Sequence, residues 1–230
     1  MKKILLSLAL LLSVSITTSA QSSSETIKNL REQAILSSNK FLTVKGIELK
    51  PGIKMDDVLI KLQSKGLVKT ELFDIAKKEF GIFDLTGTFV GINDCNVKIL
   101  PTTNNKEIVG VISINFPYAD TFKQLKDVYD RLKSELSQKY YLFTSEERFF
   151  DEYVGKSTSD FFKRNAIEKD EAIFDTRFHV SDMPNSLYLG QIVLKISHIK
   201  VDYQTKCFVT IIYCTPDNIE EQLLSAEDDL

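Results

Sequence analysis

The chain has 230 residues, 43% of them apolar and 27% charged, with a net charge of −3. This is ordinary globular usage and excludes a disordered chain, a collagen-like chain and a disulfide-rich mini-protein. No basic stripe is present, so nucleic acid is not an expected partner.

Lys2 and Lys3 precede an almost wholly apolar run from Ile4 to Val14, and Thr18-Ser19-Ala20 offers small residues before polar Gln21. A positive start, a short apolar stretch and a small-residue cut are the parts of a secretory signal. Residues 1–20 are therefore expected to be removed near Ala20, leaving a periplasmic or secreted protein. The run is too short for a membrane anchor, and no later run approaches the roughly 18 residues a spanning helix needs. No transmembrane segment is expected after signal removal, and no cysteine near the cut invites a lipid.

Residues 21–40 are polar and serine-rich and read as a linker or frayed helix, with Ile27, Leu30 and Ala34 able to form a short amphipathic turn. Residues 41–49 alternate well enough for a strand, and Pro51-Gly52 is a turn. Met55, Val58, Leu59 and Leu62 fall on one helical face. Asp56 and Asp57 sit in its first turn, where the helix dipole favours acids, and Gly66 closes it. Residues 72–84 are ambiguous, since 73–80 fit a helix as well as a strand. Residues 86–100 read as one strand, 101–106 as a hairpin loop and 107–116 as the returning strand, apolar on both faces.

The pattern then starts again. Phe122, Leu125, Val128, Tyr129, Leu132 and Leu136 hold one face of a helix over 121–140, capped by Asp120 or Thr121. After a long irregular segment come strand-like runs at 172–180, 187–203 and 206–214, with Gln204-Thr205 as the tight turn between the last two. Residues 216–225 suit a closing helix. The order is helix then strands, twice, over 46–118 and 119–215. The expected fold class is α+β, an antiparallel sheet with helices on one face, in a single domain over 41–215. The last fifteen residues hold six acids and no base and read as a solvated acidic tail.

Little in the chain organises chemistry. Cys95, Cys207 and Cys214 are an odd number, so at most one bridge can form. Their pairing stays open, with buried free thiols the favoured reading. His179 and His198 lack any ligand spacing, so neither a metal nor another cofactor is expected. With the turn at Gln204-Thr205, His198 and Cys207 share a face but stand roughly 13 Å apart along the ladder, too far for a nucleophile and its base. Adjacent acids such as Asp56-Asp57 and Glu146-Glu147 read as solvated rather than as a glycosidase pair. No nucleophile elbow or phosphate-cradling glycine loop occurs, and no catalytic residue emerges.

Residues 140–178 hold ten of the 23 aromatic residues amid dense charge. Phe149-Phe150 and Phe161-Phe162 are adjacent, so neither pair can bury both rings on one narrow stripe. Phe149, Phe150, Tyr153, Phe161 and Phe162 are the candidate binding residues, because aromatic rings amid charge are typical of interfaces. The alternative is an insertion whose rings plug the open end of the sheet.

The stretches "FLTVKGIELKPGIKMDDVLIKLQSKGL", "LTGTFVGINDCNVKIL" and "TFKQLKDVYDRLKSELSQKYY" resemble small exported proteins of unknown function from gut Bacteroidetes, over about a third of the chain. That family implies no activity for any residue. The repeated order of helix then strands is also similar to the architecture of BamE and the β-lactamase inhibitor proteins, whose members bind proteins in or outside the envelope. This second resemblance implies a protein partner. The expected function is an exported, non-enzymatic binding module of the cell envelope. The alternative is a cell-envelope hydrolase with an unrecognised site.

Overall fold

A computed structural model describes residues 20–38 and 40–228. The expected signal lies outside them, apart from Ala20. The described residues begin with α1 (Ala20–Ser37) and a small hairpin, β1 (Thr43–Val44) and β2 (Ile47–Glu48). The first half continues with α2 (Met55–Ser64), β3 (Val68–Lys69), α3 (Phe73–Phe80), β4 (Phe83–Phe89), β5 (Ile92–Pro101) and β6 (Val109–Asn115). The second half runs α4 (Phe122–Ser137), β7 (Tyr141–Phe149), α5 (Glu152–Lys156), α6 (Asp160–Glu168), β8 (Ala172–His179), β9 (Gln191–Val201) and β10 (Gln204–Cys214). A 3-10 turn (Pro184–Leu189) precedes β9, and α7 (Pro216–Asp228) is the last described element.

Eight strands form one antiparallel sheet in the order β3-β4-β5-β6-β10-β9-β8-β7. The fold is α+β. Each half runs helix, strand, helical insertion and three further strands, and the last strands of the two halves meet at the centre. The aromatic-rich α5–α6 insertion therefore occupies the same place in its half as α3 does in the first.

Alternation along each strand gives the sheet two different faces. Phe83, Ile99, Ile112, Tyr213, Ile192 and Phe178 stand side by side across six strands, and all are buried. Phe73 of α3 packs on Phe83 at 5.6 Å between ring centres. Tyr129 of α4 shares a 2.6 Å hydrogen bond with Thr176, which lies on the same face of β8 as Phe178. The opposite face carries a polar row that runs from Thr86 through Asn96, Asn115, Thr210, Lys195 and Asp175 to Glu146.

Local chemistry explains the helices. The buried side of α2 is Met55, Val58, Leu59 and Leu62, and Gly66 takes the left-handed conformation beyond its end. Helix α4 buries Phe122, Leu125, Tyr129, Leu132 and Leu136. A reciprocal capping box between Thr121 and Gln124 starts it.

Several expected elements differ. Residues 86–100 are two strands, because Val90 and Gly91 both take positive φ and turn the chain between β4 and β5. Gly91 suits that turn; Val90 does not advertise it. Residues 73–80 are helix, with Phe73 buried. The segment after α4 is not irregular but contains β7 and two helices. Residues 20–37 form a continuous helix, not a linker or a frayed one, anchored by buried Ile27 and Ala34.

The acidic tail is not merely solvated. Ile219 is buried, and Asp217 and Glu220 both pair with Arg31 of α1. Glu221 accepts the N–H groups of Thr103 and Asn104 at 2.8 and 2.9 Å. These acids act as carboxylate clamps on groups more than a hundred residues away, which no local pattern reveals.

Candidate functional site

The insertion between β7 and β8 is ordered by short polar side chains. Asp151 caps α5 by accepting the Tyr153 N–H at 2.7 Å. Ser159 stands at the start of α6. The Phe150 N–H donates to Glu171 O at 2.9 Å, and the Glu171 N–H to Ala166 O at 2.7 Å. Ala166 and Ile167 bury the inner side of α6.

These contacts sort the five candidate aromatics. Phe149 turns inward and packs on Phe122 and Phe174, each at 5.4 Å between ring centres. It belongs to the packing and leaves the candidate surface. Phe150 is the next residue along the strand and points the other way, half exposed, beneath the Arg148 guanidinium. Tyr153 is 72% exposed and Phe161 73% exposed. Phe162 lies between them, 6.5 Å from Tyr153 and 5.9 Å from Phe161 by ring centres. Tyr153, Phe161 and Phe162 thus form one exposed cluster, and Phe150 is exposed separately beside Arg148. Such exposure is costly in water and unneeded for the core, the usual mark of a contact surface.

Cys207 and His198 stand closer than expected. The turn between β9 and β10 is Asp202-Tyr203, both with positive φ, not Gln204-Thr205. The two-residue difference places His198 directly opposite Cys207, so their Cβ atoms are about 5 Å apart. His198 Nδ1 lies 3.8 Å from Asp170 Oδ1. With Ile167, Ala172, Phe174 and Ile196, these two line a hollow of about 270 Å³. The Cys207 side chain is nonetheless fully buried. Burial pushes its thiol above the ordinary cysteine value, against the neighbouring Arg164, which pulls it down. A protonated, enclosed thiol is a poor nucleophile. Cys95 and Cys214 are also buried free thiols that burial pushes upward.

His179 is a different case. It is 5% exposed, with the Phe143 ring stacked on it at 4.3 Å. Gln191 Nε2 donates to His179 Nε2 at 3.0 Å, so the ring proton sits on Nδ1 and is directed at Ser186 Oγ, 3.3 Å away. Burial, helped by the Arg177 charge, pulls its pKa down to about 4. The neutral ring ties β8, the 3-10 turn and β9 together.

A second hollow of about 320 Å³ is bordered by Lys54, Asp56, Lys77, Lys106 and Glu107, with charges of both signs. Among the described residues no group of three metal-ligating side chains converges, and no helix is long and apolar enough to cross a membrane. No family model, curated protein or solved structure matches this chain.

Proposed function

We propose that this chain is an exported binding module of the cell envelope that engages a protein partner through Phe150, Tyr153, Phe161 and Phe162. The observation that carries this reading is the exposure of those four rings on an insertion whose base is fixed. Phe149 seats the insertion in the core, and Asp160 binds it to α4. A rigid aromatic surface loses little conformational freedom on contact, which favours tight association. The export part rests on Lys2, Lys3 and the apolar run to Val14.

Affinity capture tests the reading. The protein and a variant with alanine at the four positions are each immobilised and exposed to an envelope extract. One protein should be retained by the parent and lost by the folded variant, and its addition should slow amide exchange within residues 150–162. Equal retention by the variant, or protection confined to another surface, would remove the aromatic surface from the function.

The second reading is an envelope hydrolase centred on Cys207 and His198. Their cross-strand pairing, with Asp170 beside the imidazole, favours it. The burial of the thiol opposes it.

A further inference from the structure

β7 ends the sheet, and among the described residues no strand pairs with its outer edge. Residues 141–146 are exposed on both faces. Nine residues of open edge present backbone donors and acceptors to any strand that fits. We propose that the strand that fits is β7 of a second copy of this chain, antiparallel to the first about a two-fold axis at Glu147. This inference stands apart from the aromatic-surface reading.

Backbone parity limits the registers. The Phe150 N–H points inward, donating to Glu171 O. Antiparallel strands alternate, so the backbones of Arg148 and Glu146 also face β8, while those of Phe149, Glu147 and Ser145 face outward. A second β7 must therefore set odd residues against odd in the hydrogen-bonded pairs. An axis at residue 146 sets Glu146 against itself. An axis at residue 148 sets Arg148 against itself. An axis at residue 145 sets Leu142 against Arg148 and Thr144 against Glu146.

Only the axis at Glu147 places Glu146 opposite Arg148 of the second copy, and does so twice. Both contacts fall at non-hydrogen-bonded pairs, where Cα atoms approach to about 4.5 Å and side chains are closest. The Arg148–Glu146 bridge within each strand, 2.6 Å long, shows that the two groups lie on one side of β7. On the other side, Glu147 meets Glu147 of the second copy. Each is already matched by Lys126 at 3.3 Å and Lys133 at 2.5 Å from its own α4. The bulge between Leu142 and Thr144 ends the pairing upstream. Charges on an edge strand normally keep other strands away. Here their order along the strand makes them self-complementary.

Charge exchange tests the dimer. Sedimentation velocity of the purified protein at low salt, over about 1 to 100 µM, covers the range in which a modest interface dissociates. A reversible dimer is expected. Arg148→Glu and Glu146→Arg should each weaken it by about tenfold or more, and the double exchange should restore it to within about threefold. A second measurement reads the register without relying on affinity. Glu146→Cys chains mixed with Arg148→Cys chains should form a mixed disulfide dimer more readily than either variant alone. A monomer at every concentration, an Arg148→Glu dimer as tight as the parent, failure of the double exchange to restore it, or no preference for the mixed disulfide would overturn the proposal.

Discussion

Asp160 accepts the backbone N–H of Phe122 at 2.9 Å, so a residue of the insertion closes the start of a helix 38 positions earlier. Its other oxygen accepts the Lys123 N–H at 2.7 Å. Asp160 is also the first residue of α6, so one carboxylate serves the positive ends of two helices. Asp160→Ala should cost about 1–2 kcal/mol in urea unfolding, and amide exchange should quicken through α5 and α6. A cost below about 0.5 kcal/mol would mean that ring packing alone holds the insertion.

The inward and outward aromatics should separate cleanly by stability. Phe149→Ala removes a ring wedged between Phe122 and Phe174 and should cost about 2–4 kcal/mol. Tyr153→Ser and Phe161→Ser remove exposed rings and should each change stability by less than about 0.5 kcal/mol. Chemical denaturation of the three variants decides this. A large loss from either exposed site would make the outer rings part of the packing.

His179 should make the fold sensitive to mild acid. Its folded pKa, about 4, lies below the unfolded value of 6.5, so the fold favours the neutral ring. The stabilisation is complete above pH 6.5, declines as the pH falls from 6.5 to 4, and is spent below that. Its full size is about 3 kcal/mol. Protonation would place a second N–H against the Gln191 donor and a new charge beside Arg177. The stability difference between the parent and His179→Gln, followed by urea titration, should shrink across this window. A difference that stays constant with pH would remove His179 as its cause.

The three thiols should be inert while the chain is folded. Cys95, Cys207 and Cys214 are buried, and burial raises all three. Iodoacetamide should label none in the native protein and all three in denaturant, read by mass spectrometry. Rapid native labelling of Cys207 alone would move weight to the hydrolase reading.

What the sequence displays depends on where each residue finds its partner. Helices α2 and α4 are legible because their buried sides follow the 3.6-residue period and their partners are one or two turns away. Strand β7 is not, because residues 141–146 of this edge strand are exposed on both faces and show no apolar alternation. Among its described side chains helix α1 buries Ile27 and Ala34, too few to mark a period. The Asp202-Tyr203 turn lacks the Asn-Gly or Asp-Gly pair that signals two left-handed residues. That miss hid the pairing of His198 with Cys207. The aromatic surface was visible as composition. Which of its rings faces out was not, since that depends on the parity of β7 and on the cap at Asp160.

The mirror order of the strands sets a schedule for folding. Synthesis delivers β6 more than ninety residues before β10, yet the two are neighbours at the middle of the sheet. Until β10 arrives, β6 is itself a bare edge that carries apolar Ile112 and Ile114. Such an unfinished edge is open to wrong pairing with other chains. The nascent chain therefore carries an open apolar edge at the future centre of the sheet, and β10, the last strand, is what covers it.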